Sequence, residues 1–198
     1  MSLAKDVAFP EDADVLLRYG VLRQQAEVHQ RIFREAHGMP YTVLPGVCKP
    51  GVLMPVRDAV PALSMQSLRS AQRSSPWLNQ LIWEMTSGTF IRGLEANTGL
   101  QYILADPGFD QGGWLHRDSA GDLSTWHSRW QLPAVLVLDL LMACNAQHAC
   151  VVMPDATRVN MAEEDALVWQ LKERGDGPQW PAGAQVLRCV YYQGAADR

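Results

Sequence analysis

The sequence predicts an α+β fold in which N-terminal helices cover one face of an antiparallel β-sandwich or barrel. Apolar residues recur at near-helical spacing over residues 12–37 and again after Ser75-Pro76. After Gly99 the pattern changes to short apolar runs that are separated by turn residues. Regularly spaced short runs of this kind are typical of antiparallel β structure. Helices that precede such strands are expected to pack on the sheet.

Composition indicates one globular domain and argues against two classes of partner. Of the 198 residues, 47% are hydrophobic and 19% are charged, which is enough to bury a core. A net charge of −4 argues against a general binder of nucleic acids or of anionic membranes. No run reaches the roughly 20 apolar residues of a membrane span. We therefore expect a single domain over residues 1–198, with helical and loop support in 1–98 and the β core in 99–193.

Cysteine usage predicts a reduced environment. The four cysteines, Cys48, Cys144, Cys150 and Cys189, form no Cys-x-x-Cys pair and lie in apolar, strand-like runs. Buried free thiols in a cytoplasmic protein are the expected interpretation. A structural zinc site on Cys144, His148, Cys150 and Cys189 is a weaker alternative, because this spacing matches no standard zinc module.

The first half of the chain predicts two long helices with a loop between them. Residues 12–37 read as one helix, which Gly38 and Pro40 end. A short strand over 41–48 is expected to break at Pro45-Gly46, and residues 49–74 read as a long loop because prolines and glycines interrupt them.

The second predicted helix has clear signals at both ends. Ser75 is a suitable N-cap, Pro76 suits the first helical position, and Gly99 suits the C-terminal end. The apolar runs that follow predict six strands: Leu100–Ala105, Gly113–Asp118, Ala134–Leu141, Ala149–Met153, Ala166–Leu171 and Val186–Tyr192.

One short motif in the second predicted strand could hold a metal ion. His116 and Asp118 are two residues apart, so both side chains lie on one face of a strand, with Cα atoms roughly 6.5–7 Å apart. An imidazole and a carboxylate in this arrangement are two members of the facial triad of non-haem iron oxygenases. The motif alone has low specificity, and the competing interpretation is an edge histidine beside a solvated aspartate.

The order of motifs over roughly residues 75–193 resembles the prolyl-4-hydroxylase-like branch of the Fe(II)/2-oxoglutarate-dependent oxygenases. A helix ends in Thr98-Gly99-Leu100; a Gly-Gly pair, His-x-Asp, a strongly apolar strand and a terminal strand with an arginine follow. The resemblance implies a double-stranded β-helix (a jelly-roll-like fold) and a hydroxylase that acts on a small molecule or a peptide side chain. It implies Fe(II) on His116, Asp118 and a third ligand, with Arg188 binding the distal carboxylate of 2-oxoglutarate. Arginine suits that role because its planar fork pairs with both carboxylate oxygens.

The chain departs from this family at the second iron-binding histidine. The segment before Arg188 contains no histidine, so the candidates for the third ligand are His127, His148 and Gln179. Three readings therefore stay open: an active oxygenase with an unusual ligand, an inactive member that binds a ligand or a protein, and an unrelated β-rich domain.

Two further predictions concern the surroundings of this site. Arg188 has an alternative role as a sheet arginine that pairs with a neighbouring acid such as Asp139. The tryptophan-rich segments suggest a substrate pocket, although core packing is expected for most of these indoles. The candidate substrate-binding residues are Trp114, Trp126, Arg129 and Trp130.

Overall fold

The protein is described from a computed structural model, which covers residues 15–54, 66–67, 76–106, 113–117, 132–145, 147–171 and 177–194. For residues 66–67 and 113–117 the description extends to the backbone and its pairing. None of the helices in these ranges is long and apolar enough to cross a membrane.

Each predicted helix is divided in two. The first region forms α1 (Tyr19–Gln24) and α2 (Ala26–Glu35), and the second forms α3 (Pro76–Met85) and α4 (Gly88–Thr98). Apolar periodicity does not reveal such breaks, because the apolar face continues across them. Ser87 separates α3 from α4: its hydroxyl caps α4 by accepting a hydrogen bond from the Phe90 N–H. Gly99 ends α4 in the left-handed conformation at φ 74°, as predicted.

Within the described residues, nine strands form two antiparallel sheets. The large sheet has the order β1-β8-β5-β9-β4-β2, and β3 pairs with the C-terminal part of β9. The small sheet is a hairpin of β6 and β7. The strands are β1 (Tyr41–Leu44), β2 (Gln66–Ser67), β3 (Ile103–Ala105), β4 (Gly113–Arg117), β5 (Ala134–Ala143), β6 (Ala149–Val152), β7 (Arg158–Met161), β8 (Ala166–Gln170) and β9 (Gln185–Gln193).

The mixed helix and antiparallel-sheet fold is confirmed, and so are the six strands predicted after Gly99, within a few residues. The prediction missed β7, because Arg158 and Asn160 are exposed and leave Val159 and Met161 as its apolar residues. It also missed β2, which has only two residues. The short strand at 41–44 is confirmed as β1, and it pairs with β8 at the edge of the large sheet.

The two faces of the large sheet bury different partners. Leu138, Leu140 and Leu187 alternate onto the helix-side face, where they form one apolar cluster with Leu81, Leu94 and other residues of the helices. Val137, Leu141 and Val186 belong to a second cluster that includes Val151 and Met161 of the β6–β7 hairpin. We call this second surface the hairpin-side face. The period of two along a strand produces this division, and it confirms the expectation that helices cover one face of the sheet.

A buried polar contact joins three of the helices. The Asn97 amide of α4 donates hydrogen bonds to the carbonyls of Leu22 and Gly93, at 2.7 Å each. Its Oδ1 therefore serves as the acceptor for Nδ1 of His29 in α2, at 2.7 Å. This assigns the proton of a neutral His29 to Nδ1. The contact fixes α1, α2 and α4 relative to one another.

Candidate functional site

Arg188 and Asp139 are directly opposite each other in the large sheet. β5 and β9 run antiparallel, and their register pairs Asp139 with Arg188, between the pairs Leu138–Cys189 and Leu140–Leu187. Both residues interrupt apolar runs, and their neighbours on the same strands are buried. Two residues that pair in an antiparallel ladder have their side chains on the same face. Here that face is the hairpin-side face, because Val137 and Val186 alternate onto it.

The two side chains form a bidentate ion pair in the interior. Arg188 Nε donates to Asp139 Oδ1 at 2.6 Å, and Nη2 donates to Oδ2 at 2.6 Å. Arg188 is 2% exposed and Asp139 is 0% exposed. This parallel arrangement of two charged hydrogen bonds is the geometry in which a guanidinium recognises a carboxylate most specifically. The guanidinium thus binds a carboxylate that belongs to the chain itself.

Two indoles complete the surroundings of the Asp139 carboxylate. The Nε1 atoms of Trp169 and Trp180 both donate to Oδ2, at 3.1 and 3.3 Å. The Arg188 guanidinium also lies 5.6 Å from the centre of the Trp169 ring, at cation–π distance. Four N–H groups therefore bind one buried carboxylate. They compensate its burial by balancing its charge and by giving its oxygens hydrogen-bond donors. The effect of this charge extends to Cys189 on the opposite face. Burial is the main cause of the raised pKa of the Cys189 thiol, and the charge of Asp139 is the second.

The prediction that Arg188 binds an external carboxylate concerns the same guanidinium that pairs with Asp139. The alternative prediction, pairing with Asp139, describes the contacts that the structure contains. An external carboxylate on the Nε–Nη2 edge of the guanidinium would have to displace Asp139 and leave it charged and buried without its strongest partner. Such an uncompensated buried charge costs about 3–5 kcal/mol.

Backbone pairing places His116 on the same face as Arg188. In the register of β4 with β9, Trp114 pairs with Arg188 and His116 with Val186. His116 and Arg188 are thus diagonal neighbours, which lie roughly 7–8 Å apart in a sheet. The first predicted iron ligand and the predicted cosubstrate arginine therefore share one face, while the predicted pocket residue Trp114 is directly opposite the arginine.

Several predicted site residues lie outside the described part of the chain. These are Asp118, Trp126, His127, Arg129 and Trp130. Their roles as metal ligands or substrate contacts therefore stay predictions. β4 is described as ending at Arg117, one residue before Asp118.

Two candidates for the third metal ligand do lie in the described ranges, and both are exposed. His148 comes just before β6. Gln179 makes an isolated backbone pair with Val152 of β6, with N–O distances of 2.8 and 3.0 Å, which fixes its position against the small sheet. Among the residues that the structure describes, no group of three or more His, Cys, Asp and Glu side chains could hold a metal ion. The weaker zinc alternative on Cys144, His148, Cys150 and Cys189 therefore finds no support in these residues.

The four cysteines are free thiols with different exposures. Cys48 and Cys189 are buried, and Cys144 and Cys150 are half-buried. Burial raises the pKa of the Cys48 thiol, with smaller contributions from the charges of Glu164 and Glu84. A raised pKa keeps a thiol protonated and unreactive at neutral pH. The expectation of buried thiols thus holds for two of the four cysteines.

A buried tyrosine near one end of the same face was not among the predicted site residues. Tyr192 is 0% exposed, and its hydroxyl makes no hydrogen bond to the residues that the structure describes. Burial, and secondarily the charge of Asp106, raise its pKa to about 12. The apolar run Val186–Tyr192 predicted its burial, but a local pattern contains no information about partners for the hydroxyl.

A surface cleft of about 410 Å³ lies away from these residues, between α2 and the C-terminal end of α4. Its lining includes Arg34, Glu95 and Tyr102, and none of the predicted site residues. The cleft therefore does not serve as the pocket of the predicted metal site.

Comparisons with known proteins give low similarities. No protein-family model matches the chain, and no curated protein matches it. Among solved structures, the chain is similar to the non-heme alpha ketoglutarate dependent carbocyclase SnoK from nogalamycin biosynthesis, at 14% identity and a TM-score of 0.47, over 87% of this chain and 85% of that one. A Pseudomonas putida prolyl-4-hydroxylase aligns at 10% identity and 0.43, over 85% and 95%. The alpha ketoglutarate dependent epimerase SnoN from nogalamycin biosynthesis aligns at 14% and 0.45, over 85% and 82%. With TM-scores below 0.5, these similarities do not establish a family for the chain.

Proposed function

We propose that this protein is a double-stranded β-helix that acts as a ligand- or protein-binding module and does not catalyse 2-oxoglutarate-dependent oxidation. The observation that carries the proposal is the buried pair of Arg188 with Asp139. The guanidinium that the family resemblance assigns to the cosubstrate has an internal carboxylate as its partner. The sequence alone left this alternative open beside an active enzyme.

The order of the strands supports the jelly-roll part of the proposal. After β5 in the large sheet, the chain forms the β6–β7 hairpin and then returns to the large sheet as β8. It next pairs at Gln179 with Val152 of β6, and ends in the large sheet as β9. This alternation between the large sheet and the β6–β7 hairpin supports a jelly-roll arrangement.

The burial of the described residues around Arg188 argues against a site for 2-oxoglutarate. A cosubstrate with its distal carboxylate on Arg188 would extend along the hairpin-side face. That face is packed in this region: Trp169, Val137 and Val190 are fully buried there, among the residues of the second apolar cluster. Protein interiors are close-packed as a rule, so a region of fully buried side chains has little space for an added five-carbon acid. The described residues therefore favour a core at this position over a cosubstrate pocket.

A second candidate function, an iron and 2-oxoglutarate-dependent oxygenase, is favoured by the register of β4. It places His116 on the same face as Arg188 and two positions away along the ladder. This interpretation needs Asp118 and a third ligand to join His116, and it needs a cosubstrate carboxylate to share the Arg188 guanidinium with Asp139 or to displace it. In an active enzyme of this kind, iron and 2-oxoglutarate would supply the oxidising chemistry, and the protein would orient the substrate.

An anaerobic titration with Fe(II) and then 2-oxoglutarate separates the two functions. Bidentate binding of the cosubstrate to iron gives a visible charge-transfer band. We expect no band at any iron concentration, in the wild type or in His116→Ala. A band that is present in the wild type and lost in His116→Ala would overturn the proposal in favour of the oxygenase.

The same samples give a second readout that does not depend on colour. Succinate is measured after oxygen is admitted, with and without the protein. We expect no succinate above the iron-only background. Saturable, protein-dependent formation of succinate would establish turnover and contradict the binding-module reading.

A further inference from the structure

We propose that Asp139 is the built-in occupant of an anion-binding site, and that the vacated site binds formate, the smallest carboxylate, in its place. This inference rests on the proposed function and deepens it, because it names what takes the place of an external carboxylate on Arg188. The site consists of the Arg188 fork and the indole N–H groups of Trp169 and Trp180.

The donors of this site are fixed by elements other than the strand that carries Asp139. Arg188 is on β9 and Trp169 is on β8, and Trp180 lies in the segment between them. Arg188 and Trp169 are buried, and their strands pair with β5 on its two sides. Truncation of the Asp139 side chain therefore removes the acceptor and leaves the donors in their places. Buried donors without an acceptor are unfavourable, and a buried guanidinium without an anion is more so.

The size of the vacated space selects the ligand. Asp139→Ala keeps Cβ and deletes one carboxylate group, which is the size of a formate ion. The neighbouring valines Val137, Val186 and Val190 are buried, and Trp180 is partly buried. We therefore expect a longer acid to find little space for its remaining atoms. We therefore expect formate to bind more strongly than acetate, and 2-oxoglutarate not to bind.

The test is the stability of Asp139→Ala in sodium formate and in sodium chloride at equal ionic strength, from urea unfolding. In chloride, the unfolding equilibrium constant should rise on the order of 10³-fold relative to the wild type, as expected when one partner of a buried pair is lost. Formate at 100 times its dissociation constant should then lower this constant roughly 100-fold. Samples are unfolded and refolded in each salt, so that the ligand reaches the buried site.

Two matched variants show whether the effect belongs to this site. Asp139→Asn keeps the shape and an acceptor oxygen in the space, so it should be destabilised without responding to formate. Leu138→Ala deletes a buried side chain next along β5, on the helix-side face, and opens a cavity without donors. The stability of Leu138→Ala should be the same in formate and in chloride.

The result that overturns the inference is equal stability of Asp139→Ala in formate and chloride. If the variant does not fold in chloride, the readout is the yield of folded protein after refolding in formate. A yield in formate no higher than that in chloride would also overturn the inference. Stabilisation of Asp139→Ala by 2-oxoglutarate as strong as that by formate would also contradict it, since the site would then be a vacated cosubstrate pocket. These measurements use no iron, so their failure is distinct from a failure of the wild-type titration.

Discussion

Along β5 and β9, both faces of the large sheet are buried, but they differ in chemistry. On the helix-side face, β5 contributes Leu138 and Leu140 to an apolar cluster that the helices complete. On the hairpin-side face, the same strand contributes Asp139, which binds Arg188 among Trp169 and Trp180. An apolar face is the simplest way to stabilise such a sheet, because hydrophobic burial carries no desolvation cost for charges. The charged pair is therefore not required to build the sheet, and its position marks the face on which the proposed fold would place a ligand.

Removal of one member of the Arg188–Asp139 pair should lower the stability of the protein most. Asp139→Leu should lower the free energy of unfolding by about 3–5 kcal/mol, because it leaves the Arg188 guanidinium buried without an anion. The double variant Asp139→Leu/Arg188→Met should recover most of this loss, because two apolar side chains replace the pair. Urea unfolding of the wild type, both single variants and the double variant measures the coupling. A double variant whose loss equals the sum of the two single losses would show that the residues act independently.

A cavity on the helix-side face should be costly for a different reason. Leu138→Ala should lower the free energy of unfolding by about 2–5 kcal/mol, through lost burial and an unfilled cavity. Leu138→Met is the control and should cost less than about 1.5 kcal/mol, because it nearly conserves volume. Thermal unfolding measures both. If Leu138→Met is as harmful as Leu138→Ala, the site depends on shape and the purely apolar account of this face is wrong.

Two adjacent tyrosines of β9 lie on opposite faces of the sheet and differ in the hydrogen bonding of their hydroxyls. Tyr191, on the helix-side face, donates to the carbonyl of Met85 at 3.1 Å. The Tyr192 hydroxyl, on the opposite face, makes no hydrogen bond to the described residues. Tyr191→Phe should therefore cost about 1–2 kcal/mol, and Tyr192→Phe should be neutral or slightly stabilising. Melting temperatures of the two variants decide the point, and the reverse order would contradict it.

Alkaline pH should produce the smallest of these effects. The pKa of Tyr192 is about 12 in the folded state, because burial and then the charge of Asp106 raise it, whereas an unfolded tyrosine has a pKa of about 10. The unfolded chain therefore releases this proton first, and the stabilisation is complete below pH 10 and is lost between pH 10 and 12. Tyr192→Phe should show a shallower fall of the urea midpoint over this range than the wild type. Identical slopes would show that Tyr192 does not contribute.

Local sequence patterns predicted the elements of this fold better than their contacts. Short apolar runs and the turn residues between them identified six strands after Gly99, and Gly99 itself ends a helix as expected. The breaks at Gln25 and Ser87 escaped prediction because they do not interrupt the apolar face. The pairing of β1 with β8 joins residues more than 120 positions apart, and no local pattern contains that information.

The candidate site was predictable only in part. Asp139 and Arg188 are single charges inside apolar strands, and a buried charge is expected to have a partner. This reasoning made Asp139 a candidate partner, but the family resemblance supplied a competing one. The choice between them depends on the register of β5 with β9, which brings residues 49 positions apart into contact. The two indole donors depend on tertiary packing in the same way.

An NMR measurement of the Arg188 side chain tests most directly whether Asp139 excludes 2-oxoglutarate from this arginine. A pair buried to this extent should give a resolved, slowly exchanging Nε–H signal, assigned through the backbone of β9. Spectra are recorded with increasing 2-oxoglutarate, alone and with Zn(II) as a diamagnetic substitute for iron. We expect the Arg188 signal not to move, because Asp139 accepts from the Nε–Nη2 edge of the guanidinium. A saturable shift of that signal with 2-oxoglutarate would show that the cosubstrate binds at Arg188, and it would contradict the proposed function.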